Sequence, residues 1–217
     1  MIDERPPRRK TRAEQRVATR LAILDAAALS LVEDGYAALT TRRIAEHAKV
    51  AQSTLMHHFP TREALLVEAV SQLALRLADD ALEDLDLKAV HSPEQREVVL
   101  DQIWRVFTSP QALAAAQLWV AAWAEPELAS ALRELEERLT AILMAAATAV
   151  VPDLVDDPDF PALVDTGASV IRGLVMGIPV SGRAAVEERW QAIRPILSGA
   201  ASDLLDRPAA ERHRPAA

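Results

Sequence analysis

The chain has no cysteine in 217 residues. That excludes a disulfide framework, a thiolate metal site and a cysteine nucleophile. Glycine is scarce too, with six in all, and no glycine elbow presents a nucleophile. Long apolar runs are missing: the longest in the C-terminal half, around "VIRGLVMGIPV", is shorter than a bilayer requires and carries Arg172. The N-terminal "MIDERPPRRKTRAEQR" has basic residues with no apolar stretch behind them, which is not the pattern of a secretory signal. These absences lead us to expect a soluble, cytoplasmic protein with no membrane partner and no cofactor.

What is present is helix-forming. Half the residues are hydrophobic and 26% charged, with Ala and Leu dominant. The net charge of −8 is unevenly spread. Residues 1–62 hold 11 Lys/Arg and 7 Asp/Glu, a net of +4, whereas residues 63–217 hold 13 and 25, a net of −12. A basic first segment on an acidic body is what a chain has when only that segment meets a polyanion, although a basic tail ahead of an acidic domain has the same split.

The pattern predicts an all-α chain of nine helices. Residues 1–11 read as a Pro- and Arg-rich arm. From Arg12 to Asp34, Val17, Leu21, Leu24, Ala28 and Leu31 recur at helical steps, and Gly35 follows as a cap. Thr40 caps a short helix carrying Ile44 and Ala45 inward. A second short helix runs from about Ala51 to His58 and stops at Pro60. Longer helices follow over about 62–84, 93–108, 111–124, 127–149, 160–178 and 184–205, with breaks at Pro93, Pro110, Pro126, "VPDLVDDPDFP" and "PVSGR". Pro195 falls inside the last and predicts a kink. The resulting division is an arm over 1–11, a first domain over 12–61, a second over 62–206 and a tail over 207–217.

Two short helices joined by a tight turn behind a longer one is helix-turn-helix organisation, whose second helix enters the DNA major groove. In "AQSTLMHHF", Leu55 and Phe59 are four apart and pack inward. Gln52, Ser53, Thr54, Met56, His57 and His58 are left outward, a face without acids and with groups that reach base edges or phosphates.

Over "ILDAAALSLVEDGYAALTTRRIAEHAKVAQSTLMHHFPTREALLVEAV", Ile23 to Val70, the sequence resembles the tetracycline-repressor (TetR) family of bacterial regulators. The resemblance rests on Gly35-Tyr36, Thr40-Thr41, "IAEHA", the V-x-x-x-T-L-x-x-H-F string and the basic residue opening the fourth helix. It implies that Thr40 and Thr41 offer groups to phosphate and that Arg42 reaches phosphate or a base edge. Gln52, Ser53, Thr54 and His57 would lie along the groove, and His58 and Arg62 would clamp phosphates. Three positions depart from the family pattern. Lys49 stands where glycine is usual in the turn, which calls for strained backbone there and adds positive charge beside the DNA. Ala51 replaces a capping serine, and Met56 replaces a tyrosine whose hydroxyl touches phosphate.

Adjacent His57 and His58 point about 100° apart on a helix, unlike the i, i+4 spacing that brings two imidazoles to one metal. No metal is expected. Neither has a nucleophile or an orienting acid at a telling spacing, so no catalytic residue is expected either.

In the TetR family the later helices bind a ligand and dimerise. In "TGASVIRGLVMGIP", the small residues Ala168, Gly173 and Gly177 allow close helix approach. In the last helix, Val186, Trp190, Ile193 and Leu197 form an apolar stripe, which is ordinary core or, on the resemblance, part of the dimer interface. Arg172, mid-helix, pairs with an acid at that contact or faces a pocket. Trp104, Phe107, Trp119 and Trp123 are concentrated in the middle helices. They pack a core or line an apolar pocket with Arg105, Gln117, Met144 and Met176. "LWVAAWAEPEL" is loosely similar to choline-responsive regulators, for which an aromatic cage is suited to a quaternary ammonium.

The expectation is therefore a homodimeric regulator, a repressor, that binds a pseudo-palindromic double-stranded operator and is released by a small apolar or cationic effector. A small helical enzyme using His57 or His58, or a helical protein-interaction module, would leave the charge split and the motif string unexplained.

Overall fold

The computed structural model describes residues 11–84 and 92–207. All but the last residue of the expected arm and all but the first of the expected tail lie outside that range. Nine α-helices occupy it: α1 (Arg12–Asp34), α2 (Thr41–His47), α3 (Gln52–His58), α4 (Arg62–Asp84), α5 (Pro93–Phe107), α6 (Pro110–Ala121), α7 (Pro126–Val150), α8 (Phe160–Ser181) and α9 (Arg183–Leu205). Two single 3₁₀ turns, Tyr36–Ala38 and Pro152–Leu154, escape the sequence pattern because each is too short to show a period.

The helix starts follow local chemistry. The Thr11 hydroxyl accepts from the Glu14 amide while the Glu14 carboxylate accepts from the Thr11 amide, a reciprocal cap, and Ser92 and Gln95 repeat it at α5. Pro93, Pro110 and Pro126 sit inside their helices as first residues, where a missing N–H costs nothing. Pro179 and Pro195 are carried within α8 and α9, so α8 runs past its expected end to Gly182, at φ +80°. This alters one expectation. By length and composition α8 is apolar enough to cross a bilayer, because the helix extends the short apolar run in both directions. It carries Asp165 and Arg172, and it packs along α9 and against α7.

One core joins the first three helices to the body. Ile23, Leu24 and Leu31 of α1 meet Ile44 of α2, Leu55 of α3, Leu65 and Leu66 of α4, Leu118 of α6 and Leu128, Leu132 and Leu135 of α7. Val17 and Leu21, expected on the same stripe, are exposed, because the first turns of α1 extend beyond this core. A second core lies between α5, α8 and α9, where Trp104 and Trp190 stack with ring centroids 4.9 Å apart. Leu154, Phe160 and Leu204 form a third, smaller one. Between the first two cores α4, α5, α6, α7, α8 and α9 leave a cavity.

Candidate functional site

The α2–α3 unit is shaped by its turn. Lys49, at φ +55°, is the non-glycine residue with positive φ among those described. The chain turns there with the Lys49 amide bonded to the Glu46 carbonyl and the Val50 amide to the Ala45 carbonyl. Ala51 begins α3 without a side-chain cap. The Thr40 hydroxyl accepts from the Arg43 amide at 3.2 Å and caps α2. Thr41 accepts from Gln52 Nε2 at 3.2 Å, linking the starts of the two helices.

The expected faces are present. Leu55 and Phe59 are buried, whereas Gln52, Ser53, Met56 and His57 are exposed and Thr54 and His58 half-buried. Arg42 and Lys49 are exposed beside them, Arg42 in a 3.0 Å pair with Glu46. No Asp or Glu lies between Ala48 and Thr61, so this face carries no negative charge. Below it, Arg20 donates to the His58 carbonyl at 2.9 Å, pairs with Glu68 and stacks over Phe59 at 4.2 Å. Burial first, then Arg16, His57 and Arg20, lowers the His58 pKa from the usual imidazole value. Its neutral form is a hydrogen-bond donor that does not need a proton from solvent.

Arg62 is placed differently from its expected role. Its guanidinium donates to the Leu39 carbonyl, the Tyr36 hydroxyl and the Tyr36 carbonyl at 3.2, 2.9 and 3.1 Å, and lies 4.4 Å over the Tyr36 ring. Tyr36 in turn donates its hydroxyl to Glu125 at 2.6 Å, and its amide donates to Gln117 Oε1 at 2.9 Å. Burial, then the Glu125 bond, raises the Tyr36 pKa, so the phenol keeps its proton. Gly35 makes this approach possible: at φ +74°, an added Cβ would lie 3.1 Å from Gln117 Oε1. The result is a polar junction from the helix-turn-helix to α6 and the start of α7, which sequence periodicity does not reveal.

Residues 23–69 match the family model described as "Bacterial regulatory proteins, tetR family". The chain is 29% identical over 178 residues, 77% of its length and 83% of the relative's, to the HTH-type transcriptional regulator BetI of Rhizobium meliloti. Residues 23–69 are thus a tetR-type helix-turn-helix head. Among solved structures, GusR of Salmonella enterica superposes with TM-score 0.61 at 19% identity, covering 88% of this chain and 97% of that one. The multidrug binding protein EbrR, complexed with proflavin, superposes with TM-score 0.61 at 20% identity, covering 82% and 99%. These structures share the regulator's fold. It is a DNA-binding transcriptional regulator.

The regulator's cavity measures about 590 Å³ and is lined almost wholly by apolar side chains. Of the residues singled out for a pocket, Phe107, Trp119, Met144 and Met176 line it. Trp104 instead stacks on Trp190 and donates to Glu187 at 2.8 Å. Arg105 faces solvent, Gln117 serves Tyr36, and Trp123 is 92% exposed beside a shallow outer groove. The indoles therefore do not converge into a cage. Arg172 pairs with Glu136 at 2.6 Å on the cavity wall, and the other oxygen of Glu136 accepts from Trp119 at 2.9 Å.

The residues expected at a dimer contact divide likewise. Val186 and Trp190 are fully buried in the chain's own second core, Ile193 and Leu197 are half-buried, and Ala168 and Leu197 line the cavity. Those side chains serve this chain's interior first. Gly173 and Gly177 have open space above them, and the outward faces of α8 and α9 carry Val180, 91% exposed, and Ile196, 69% exposed.

Proposed function

We propose that the regulator is a cytoplasmic homodimeric repressor, released from a pseudo-palindromic operator when an apolar effector enters the cavity between α4 and α8. The observation that carries this reading is the acid-free, exposed face of α3 on a helix-turn-helix that shares its core with two walls of that cavity. Gln52, Ser53, Thr54, Met56 and His57 read the groove, while Thr40, Thr41, Arg42, Lys49 and His58 hold phosphates. Arg62 acts at one remove: it braces the Tyr36 turn that sets the angle of α2 and α3, and reaches phosphate only by leaving Tyr36.

The first domain ends near residue 61, and residues 62–206 form the effector-binding and dimerising part. The second copy packs on the outward faces of α8 and α9, where Gly173, Gly177, Val180, Ala192, Ile196 and Gly199 offer small and apolar surface for close helix approach. Two copies bring two α3 helices to successive major grooves, which a single short helix cannot do with useful affinity. EbrR holding proflavin supports a cavity of this fold taking a small molecule. The absence of a converged aromatic cage favours the apolar effector over the cationic one.

Coupling runs through Gln117 and Glu125, which flank the cavity-lining Trp119 and hold Tyr36. The effector needs only to favour one spacing of the two heads, by about 1–3 kcal/mol of coupling. The test is fluorescence anisotropy with the DNA upstream of the regulator's own gene at two salt concentrations. The reading expects tight binding that weakens steeply with salt and falls on Arg42→Ala. Binding no tighter than to unrelated DNA in every upstream fragment tried would overturn it.

A further inference from the structure

We infer that the effector is an anionic amphiphile whose acidic head group, a carboxylate, seats on Arg96 while its chain fills the apolar cavity. This rests on the reading of the cavity as the effector site and specifies the chemistry of that site.

Arg96 stands on α5 near its N-terminus, is 6% exposed and lines the cavity. It donates from Nη2 to the Ser202 hydroxyl of α9, while its buried Nε has no partner. Among the described residues no carboxylate lies within ion-pair distance of it. The neighbouring arginines are treated differently. Arg194 meets both Glu97 and Asp101, and Arg172, on the same cavity wall, meets Glu136. Arg96 therefore holds the cavity's one buried positive charge that has no described negative partner.

An arginine cannot relieve this by losing its proton, and a buried unpaired charge is among the costliest groups a fold can hold. What matches it is planar and anionic: a carboxylate accepts two parallel bonds from a guanidinium. The rest of the cavity sets the remainder of the molecule. Leu139, Leu143, Met144, Ala147 and Val150 line it along α7, and Glu136 to Val150 spans about 21 Å of helix. Glu136 and Arg172 neutralise each other on that wall, so no second unpaired charge calls for a second ionic group. A chain with one acidic end fits this lining better than a cation does. Asp165, the other acid on the lining, is exposed to solvent.

The test titrates the full chain at pH 8 with dodecanoate, dodecanol and dodecyltrimethylammonium, the two ions below their micelle concentrations and the alcohol below its solubility limit, following tryptophan emission, to which Trp119 on the wall contributes, and melting temperature. Dodecanoate should bind about tenfold or more tighter than dodecanol, the range of a hydrogen bond to a charged group, and the ammonium weakest. Arg96→Met should bring dodecanoate down to the dodecanol level, and continued dodecanol binding reports an intact cavity. Arg96→Lys should retain part of the preference. Should Arg96→Met fail to fold, the head-group ranking on the unaltered chain decides alone. Equal binding of acid and alcohol, or tighter binding of the ammonium, overturns the assignment and leaves the cavity reading standing. Failure of all three to bind overturns both.

Discussion

Replacing Lys49 by glycine separates two things that this residue does at once. At φ +55° its backbone is left-handed, a conformation that costs an L-residue about 1–2 kcal/mol. Glycine removes that cost but loses more freedom on folding, which takes back about 0.5–1 kcal/mol. The net gain for Lys49→Gly is roughly 0.5–1 kcal/mol, or about 1–4 °C in Tm for a chain of this size. Lys49→Ala is the control: it keeps the left-handed strain and loses only the charge, so it should melt with the unaltered protein. On operator DNA both variants lose the same proposed phosphate contact, and the slope of log affinity against log salt should shrink by about 0.9 for each. Calorimetry and salt-dependent anisotropy on the three proteins together test the reasoning. If Lys49→Gly melts no higher than the unaltered chain, or Lys49→Ala gains as much as it does, the strain assigned to this turn is wrong.

Ala51→Ser restores a side-chain acceptor at the uncapped start of α3 and should stabilise the fold by about 1 kcal/mol in denaturant titration. Tyr36→Phe removes the donor to Glu125 and the acceptor of Arg62, and should cost about 1.5–3 kcal/mol in the same assay. In anisotropy it should also blunt the response of operator affinity to any effector that binds. His58 contributes a pH dependence whose sign follows from its lowered pKa. Above about pH 6.5 neither folded nor unfolded imidazole is charged, and the stability is fully present. As pH falls from there through the lowered folded value, the unfolded chain binds the proton first and stability is lost. His58→Gln should flatten that part of a melting-temperature profile between pH 7 and 5, and an unchanged profile would refute the assignment.

Much of the helical framework is legible in the sequence because its signals are local. Prolines at Pro93, Pro110 and Pro126 mark helix starts, though a rule that treats proline as a breaker places Pro110 and Pro126 one residue outside the helices they open. Lys49 in place of glycine announces the strained turn, and the alternation of Leu55 and Phe59 with polar neighbours separates the faces of α3. What periodicity cannot supply is the partner. It places Trp190 on an apolar stripe but not against Trp104, and it shows Arg62 opening α4 but not its guanidinium folded onto Tyr36. The bonds joining Tyr36 to Gln117 and Arg96 to Ser202 cross 81 and 106 positions, beyond any local pattern. The pocket residues divided for the same reason: aromatic content marks a region, and only the packing of α4 to α8 decides which rings face inward.

The core shared by α1–α4 with α6 and α7 limits how this protein can be recombined. A chimera cut near residue 61 would inherit a DNA-reading head whose buried leucines were shaped against Leu118, Leu128 and Leu132 of another body. Changes confined to α5 and α8 would alter the cavity wall and leave that joint untouched. Diversity in what such a regulator senses can thus accumulate on two helices, whereas a change of head must bring its own α6 and α7 with it.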